Sequence, residues 1–145
     1  MIDRYASPEM TRIWSDENRF RLWLEVETTV CEVRAELGQI PAAAARAVRE
    51  RGGFDTARVL EIEATVQHDV IAFLTSVAEH VGEESRWVHQ GMTSSDLLDT
   101  ALALQTREAG DVLRAALVAL LDAVEAKARA EPLSTARSPA PKTTT

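Results

Sequence analysis

Residues 93 to 130 read TSSDLLDTALALQTREAGDVLRAALVALLDAVEAKARA, and this stretch decides the fold. Thr93-Ser94-Ser95-Asp96 has the form of a capping box, a hydroxyl residue followed three positions later by an acid; Asp is a weaker reciprocal partner than Glu because it is one methylene shorter. Downstream, Leu113, Leu117, Leu120 and Val124 form a heptad-like seam. The pattern predicts one helix of roughly 35 residues, on the order of 50 Å at about 1.5 Å per residue. So long an apolar stripe needs partner helices, and the first ninety or so residues can cover only part of it. A bundle or an oligomer is implied.

The preceding sequence also reads as helices. Ser7-Pro8-Glu9 places a capping residue before Pro at the first helical position, with an acid in the first turn. A second start follows at Ser15-Asp16-Glu17, after which Phe20, Trp23, Val26, Val30, Val33 and Leu37 recur every three or four positions and mark one face of a long helix closed by Gly38. A short Ala-rich helix opens at Pro41 and ends at Gly52-Gly53. Asp55 caps a helix carrying Val59, Leu60 and Ile62. A break is expected at Gln67-His68-Asp69, then a helix through Val70, Ile71, Phe73, Leu74 and Val77 to Gly82. Residues 83 to 91 have no clear period and are expected to be a loop. No strand of consequence and no internal repeat is visible.

The composition is that of a globular protein, 46% hydrophobic and 27% charged. No apolar run approaches the roughly 18–20 residues a membrane helix needs. Met1-Ile2-Asp3-Arg4 has no charged region followed by an apolar stretch, so no secretory signal is expected. The single cysteine, Cys31, excludes an intramolecular disulfide framework and fits a reducing compartment, so a cytoplasmic location is expected. A net charge of −7 argues against a nucleic-acid binder, whose affinity comes largely from Lys and Arg on phosphates. An anionic ligand would need a local positive site, because the field of the whole molecule would not attract it.

Three short constellations could supply one. Arg4-Tyr5 offers a planar fork of donors suited to phosphate beside a hydroxyl, or else a surface pair tied to a neighbouring carboxylate. In Gln67-His68-Asp69 a histidine sits where two helical segments meet; it can move a proton near neutrality or donate to an anion. In its plainer reading Asp69 simply caps the next helix and His68 is structural or solvent-exposed. The third is Trp87-Val88-His89-Gln90-Gly91-Met92-Thr93-Ser94-Ser95-Asp96. Its hydroxyls precede a long helix whose first amides are unsatisfied and partially positive, a geometry that binds carboxylate or phosphate. Gly91 would let the backbone approach a ligand, and the plainer reading is capping alone. No Gly-rich phosphate loop, metal-ligand cluster or Ser-His-Asp arrangement competes.

Taken in order and spacing, these segments resemble the opening of bacterial adenylosuccinate lyases, in the fumarase/aspartase superfamily. The resemblance rests on Arg4-Tyr5, the stretch from Ile13 to Phe20, Trp23-Leu24-Glu25-Val26-Glu27, Leu60-Glu61-Ile62-Glu63, His68-Asp69-Val70-Ile71-Ala72-Phe73 and, most specifically, the Gly-x-Thr-Ser-x-Asp pattern from Gly91 to Asp96. It covers residues 1 to about 130. It implies an all-α fold: an N-terminal helical domain, residues 1–92, followed by the first long helix of a central helical bundle, residues 93–131. It also implies a cofactor-free β-elimination that releases fumarate from adenylosuccinate, giving AMP, and from the succinylated carboxamide intermediate of purine synthesis. The implied assembly is a homotetramer with shared active sites, which fits self-association through the long helix.

By the same resemblance Arg4 and Tyr5 contact the nucleotide at its phosphate. Gln67, His68 and Asp69 line the site, with His68 donating to substrate and standing as the catalytic candidate. Thr93 and Ser94 hold a succinyl carboxylate, and His89 is a further contact. Where many relatives place a basic residue before the His-Asp pair this chain has Gln67, which donates a hydrogen bond but brings no charge. The family's Thr-His motif, with its acid, and its Ser-Ser-x-Met-Pro-x-Lys-x-Asn loop, with its base, do not occur in the sequence. The isolated chain is therefore expected to be incomplete for catalysis. Residues 132–145, rich in Thr, Ser, Pro and Ala, are unlike the family; disorder and a shifted or prematurely ended reading frame are the expectations there. Another superfamily lyase, or a non-catalytic helical fragment, are the alternatives.

Overall fold

The computed structural model describes residues 5–130. In chain order these form α1 (Pro8–Ile13), α2 (Asp16–Glu36), α3 (Ala42–Arg51), α4 (Thr56–Val66), α5 (Asp69–Val81), a 3₁₀ turn (Gly82–Trp87) and α6 (Ser94–Ala130). No strand occurs among them, and none of the described helices is long and apolar enough to cross a membrane. The expected all-α class is what the chain adopts.

The helix starts follow their capping chemistry. Ser7 Oγ accepts from Met10 N at 3.2 Å, Ser15 Oγ from Asn18 N at 3.2 Å, and Asp55 Oδ1 from Arg58 N at 2.8 Å. Each satisfies one of the first-turn amides that a helix leaves unpaired. At Gly52, after α3, a Cβ would lie 2.4 Å from the Val48 carbonyl oxygen, so only glycine lets the chain leave α3 along this path.

Three expectations need correction. The buried face of α2 contains Phe20, Trp23 and Val26 but then continues through Glu27 and Cys31; Val33 and Leu37 are exposed. The apolar spacing misled because a glutamate takes a core position in the register of Trp23 and Cys31. The residue capping α5 is His68, whose ring nitrogen accepts from Ile71 N at 3.3 Å, while Asp69 lies one position inside the helix and accepts from Val70 N at 2.7 Å. Part of the segment expected as a loop, residues 83–87, belongs to the 3₁₀ turn Gly82–Trp87, whose tight winding leaves no 3.6-residue period to read.

Residues up to Gly110 form one compact unit, and from Asp111 onward α6 belongs to a second. The core of the first is an aromatic cluster. Phe20 and Phe73 stack at 5.8 Å, and Trp23 meets each of them edge-on at 5.3 Å. Such pairs contribute about 0.5–1.5 kcal/mol beyond their burial. Val48 of α3, Val59 of α4, Val77 of α5, and Leu97 and Ala101 of α6 close around them. The first turns of α6 thus belong to this core. In the second unit Leu113, Leu117, Leu120 and Val124 are all exposed.

Candidate functional site

The start of α6 is built as its sequence predicts. Thr93 N donates to Asp96 Oδ2 at 2.8 Å, the Thr93 hydroxyl donates to the same oxygen at 3.0 Å, and Asp96 N approaches the Thr93 hydroxyl at 3.4 Å. This is a reciprocal capping box made with the shorter acid. The two Thr93 donors, and then the charge of His89, hold the Asp96 carboxyl below its ordinary value. Ser94 is the first residue of the helix and half-buried.

The approach to that start is pinned onto α2. Cys31 Sγ reaches the Trp87 carbonyl at 3.7 Å, and an Arg34 guanidinium nitrogen donates to the Gln90 carbonyl. Between them Glu27, 1% exposed, accepts from His89 N at 2.9 Å with one oxygen and lies 2.5 Å from His89 Nδ1 with the other. His89 has φ +62° and Gly91 φ +75°, so the chain turns twice through the left-handed region within three residues. Glycine adopts this freely; histidine does so at a cost that the two Glu27 contacts offset. Burial raises the Glu27 carboxyl above its ordinary value, with the hydrogen bonds and charge of His89 opposing that shift. Burial likewise pushes the Cys31 thiol up to about 11, which makes it a packing group and not a nucleophile at neutral pH.

Beside this turn lies a cleft of about 500 Å³ between α2 and the beginning of α6. Val26, Val30, Met92 and Leu104 give it apolar walls, and Glu25 and Asp96 stand at its polar edge.

The residues singled out in the sequence fall into separate groups. His89, Thr93 and Ser94 share the segment just described. Gln67, His68 and Asp69 form the α4–α5 junction, where Gln67 takes a left-handed φ of +54° as the end cap of α4. Among the described residues their polar contacts stay within that junction. His68 Nδ1 accepts from Ile71 N at 3.3 Å, so Nε2 is the ring nitrogen left to donate. Tyr5 is 73% exposed. Arg4 and the tail 132–145 lie outside the described residues.

Sequence reasoning missed the residues on α2. Arg34 and Cys31 carry no local motif, but Glu27 had a signal: an acid four positions from both Trp23 and Cys31, on an otherwise apolar face. A carboxylate that deep in a core is retained only with partners. No group of three or more His, Cys, Asp or Glu among the described residues could hold a metal ion.

The chain is similar to known proteins in sequence and in fold. The chain is 50% identical over 129 residues to an adenylosuccinate lyase of Bacillus subtilis and 52% identical over 129 residues to one of Synechocystis. Each match spans 89% of this chain and 30% of the relative, so the chain accounts for less than a third of the length of these curated relatives. Among solved structures, 3-carboxy-cis,cis-muconate lactonizing enzyme from Pseudomonas putida superposes with a TM-score of 0.78 at 31% identity, over 88% of this chain and 31% of that one. The model of the lyase family matches residues 3–132, most of the sequence, and with that match the chain belongs to the lyase family.

Proposed function

We propose that this chain is the substrate-gripping front of an adenylosuccinate lyase, an enzyme that eliminates fumarate from adenylosuccinate and from the succinylated carboxamide intermediate of purine synthesis. Half-identity to adenylosuccinate lyases over nine-tenths of the chain carries this reading. It also favours the purine substrate over that of a muconate enzyme, to which the identity is 31%.

The chemistry of the site agrees. The substrate bears one phosphate and two carboxylates, and the candidate residues other than Asp69 can donate hydrogen bonds. In this reading Thr93 and Ser94, at the positive end of α6, receive a succinyl carboxylate. Arg4 and Tyr5 take the phosphate, and Gln67, His68 and Asp69 line the same site, with His68 donating from Nε2. Gln67 supplies a hydrogen bond without charge. No cofactor is required. Residues 1–92 act as the front domain and 93–131 as the first bundle helix, within a cytoplasmic homotetramer whose further helices cover α6.

The acid and base that complete the elimination lie in family segments that these 145 residues do not include. The polypeptide by itself is therefore expected to bind the anions without turning them over. Mixing it with adenylosuccinate and following AMP by chromatography tests this. Turnover near that of a full-length relative would refute the incompleteness, and absence of any binding of AMP or fumarate would refute the gripping role.

A further inference from the structure

We infer that Glu27 is a positioning residue that acts through His89, fixing the imidazole as a donor to an anionic ligand at the start of α6. The inference rests on the functional reading above for the identity of the anion.

The geometry is that of a two-point clamp. Glu27 Oε2 holds the backbone N–H of His89 at 2.9 Å and Oε1 faces its Nδ1 at 2.5 Å. One carboxylate thus sets both the left-handed backbone of His89, φ +62°, and the rotation of its ring. The clamp commits Nδ1 to the core, and Nε2 is the nitrogen left for a ligand. Glu27 is 1% exposed whereas the His89 side chain is 20% exposed, so the acid is sealed and the ring alone can meet a solute. Held at Nδ1 by Glu27, the ring can donate to an anion from Nε2, with both nitrogens then serving as donors. Arg34 holds the neighbouring Gln90 carbonyl. The Asp96 carboxylate is itself occupied by two Thr93 donors.

Packing alone does not account for Glu27. A core position four residues from Trp23 and Cys31 could hold an aliphatic side chain without the desolvation cost of a carboxylate. What an aliphatic residue could not do is orient a ring.

The chain has three histidines, so their ring nitrogens can be resolved by ¹⁵N NMR on the whole 145-residue protein. In the ligand-free protein at neutral pH, His89 Nδ1 is expected to be protonated. AMP and fumarate are then titrated separately, to tell a phosphate from a dicarboxylate. One of them is expected to move His89 Nε2, and Glu27→Gln to weaken that ligand about tenfold, the loss expected for a charge-assisted hydrogen bond. Gln is nearly isosteric but offers one acceptor where two donors must be met. In a His89→Gln background Glu27→Gln should have no further effect on affinity, which a merely structural role would not predict. If Glu27→Gln does not fold, Glu27→Asp, which keeps the charge one methylene short, is used in its place. An unprotonated Nδ1, or equal affinity in wild type and variant, overturns the inference. Ligand shifts at the Thr93 and Ser94 amides without a response at His89 overturn it while leaving the functional reading intact. No shift anywhere with either ligand overturns both.

Discussion

Gln105 of α6 donates from its side-chain amide to the carbonyl oxygen of Ile13, 92 positions away, at 2.5 Å. Ile13 ends α1 and is fully buried, so its carbonyl is one of those a helix end leaves without an internal partner. Asn18 donates to the same oxygen at 2.9 Å. Gln105→Ala is expected to cost about 1–3 kcal/mol, with Asn18 still holding the carbonyl. Adding Asn18→Ala should cost more than the sum of the single changes, because the oxygen then loses both donors in a dry core. Urea unfolding followed by circular dichroism measures both, and strict additivity would contradict the shared-acceptor account.

Glu27 makes stability depend on pH. Its carboxyl is raised above the ordinary 4.5, first by burial, with His89 opposing. A carboxyl raised in the native state favours folding below its unfolded pKa, and that contribution is lost as pH climbs through the native value. The advantage of wild type over Glu27→Gln should therefore be largest near about pH 4 and shrink toward about pH 7. Urea midpoints for both proteins across that range test it; an advantage that grows with pH would contradict the sign.

The elements were legible where a local signal fixed them. Ser7, Ser15 and Asp55 announced three helix starts, and the Thr93–Asp96 box announced α6, because capping is chemistry between residues three apart. Long-range polar pairing was not legible. Glu27 and His89 lie 62 positions apart, and Gln105 meets Ile13 across 92; neither partner is marked until the helices pack. Spacing likewise grouped Val33 and Leu37 with the face on which Phe20, Trp23 and Val26 are buried, since it reports an apolar stripe without saying where its cover ends. Of the candidate site, the start of α6 could be read from sequence; the α2 clamp behind it could not.

The capping box gives a prediction that separates helix stability from ligand binding. Thr93→Ala removes the hydroxyl and should cost about 1 kcal/mol, the usual value of an N-cap. First-turn amides of α6 should exchange faster with solvent, while those around Leu97 to Ala109 change less. The Asp96 carboxyl is held below its ordinary 3.8, chiefly by the Thr93 N–H and hydroxyl. Its contribution is therefore present above the unfolded value and lost as pH falls through the native one. Hydrogen exchange in the first turn should accordingly lose protection on acidification in wild type more than in Asp96→Asn. If Thr93→Ala weakens AMP or fumarate by more than the cap is worth, the hydroxyl also serves the ligand.

The seam of α6 should make the chain self-associate weakly. Leu113, Leu117, Leu120 and Val124 are 56, 64, 60 and 56% exposed. Pairing two copies would cover these four side chains on each, at about 1.5–3 kcal/mol per fully buried side chain. Against that stands an association cost of about 4–15 kcal/mol, together with the ordering of the side chains that meet. The balance is favourable but small, so the average mass by light scattering should fall to that of the monomer at high dilution and rise with protein concentration. Leu117→Glu places a charge at the centre of the seam and should shift the onset to higher concentration by about tenfold or more, as burying an unpaired carboxylate requires. Helix content should hardly change, since Glu is a good helix former at an exposed position. A chain that stays monomeric at every concentration, or a Leu117→Glu variant that associates like wild type, would show that contacts elsewhere than this seam govern its assembly.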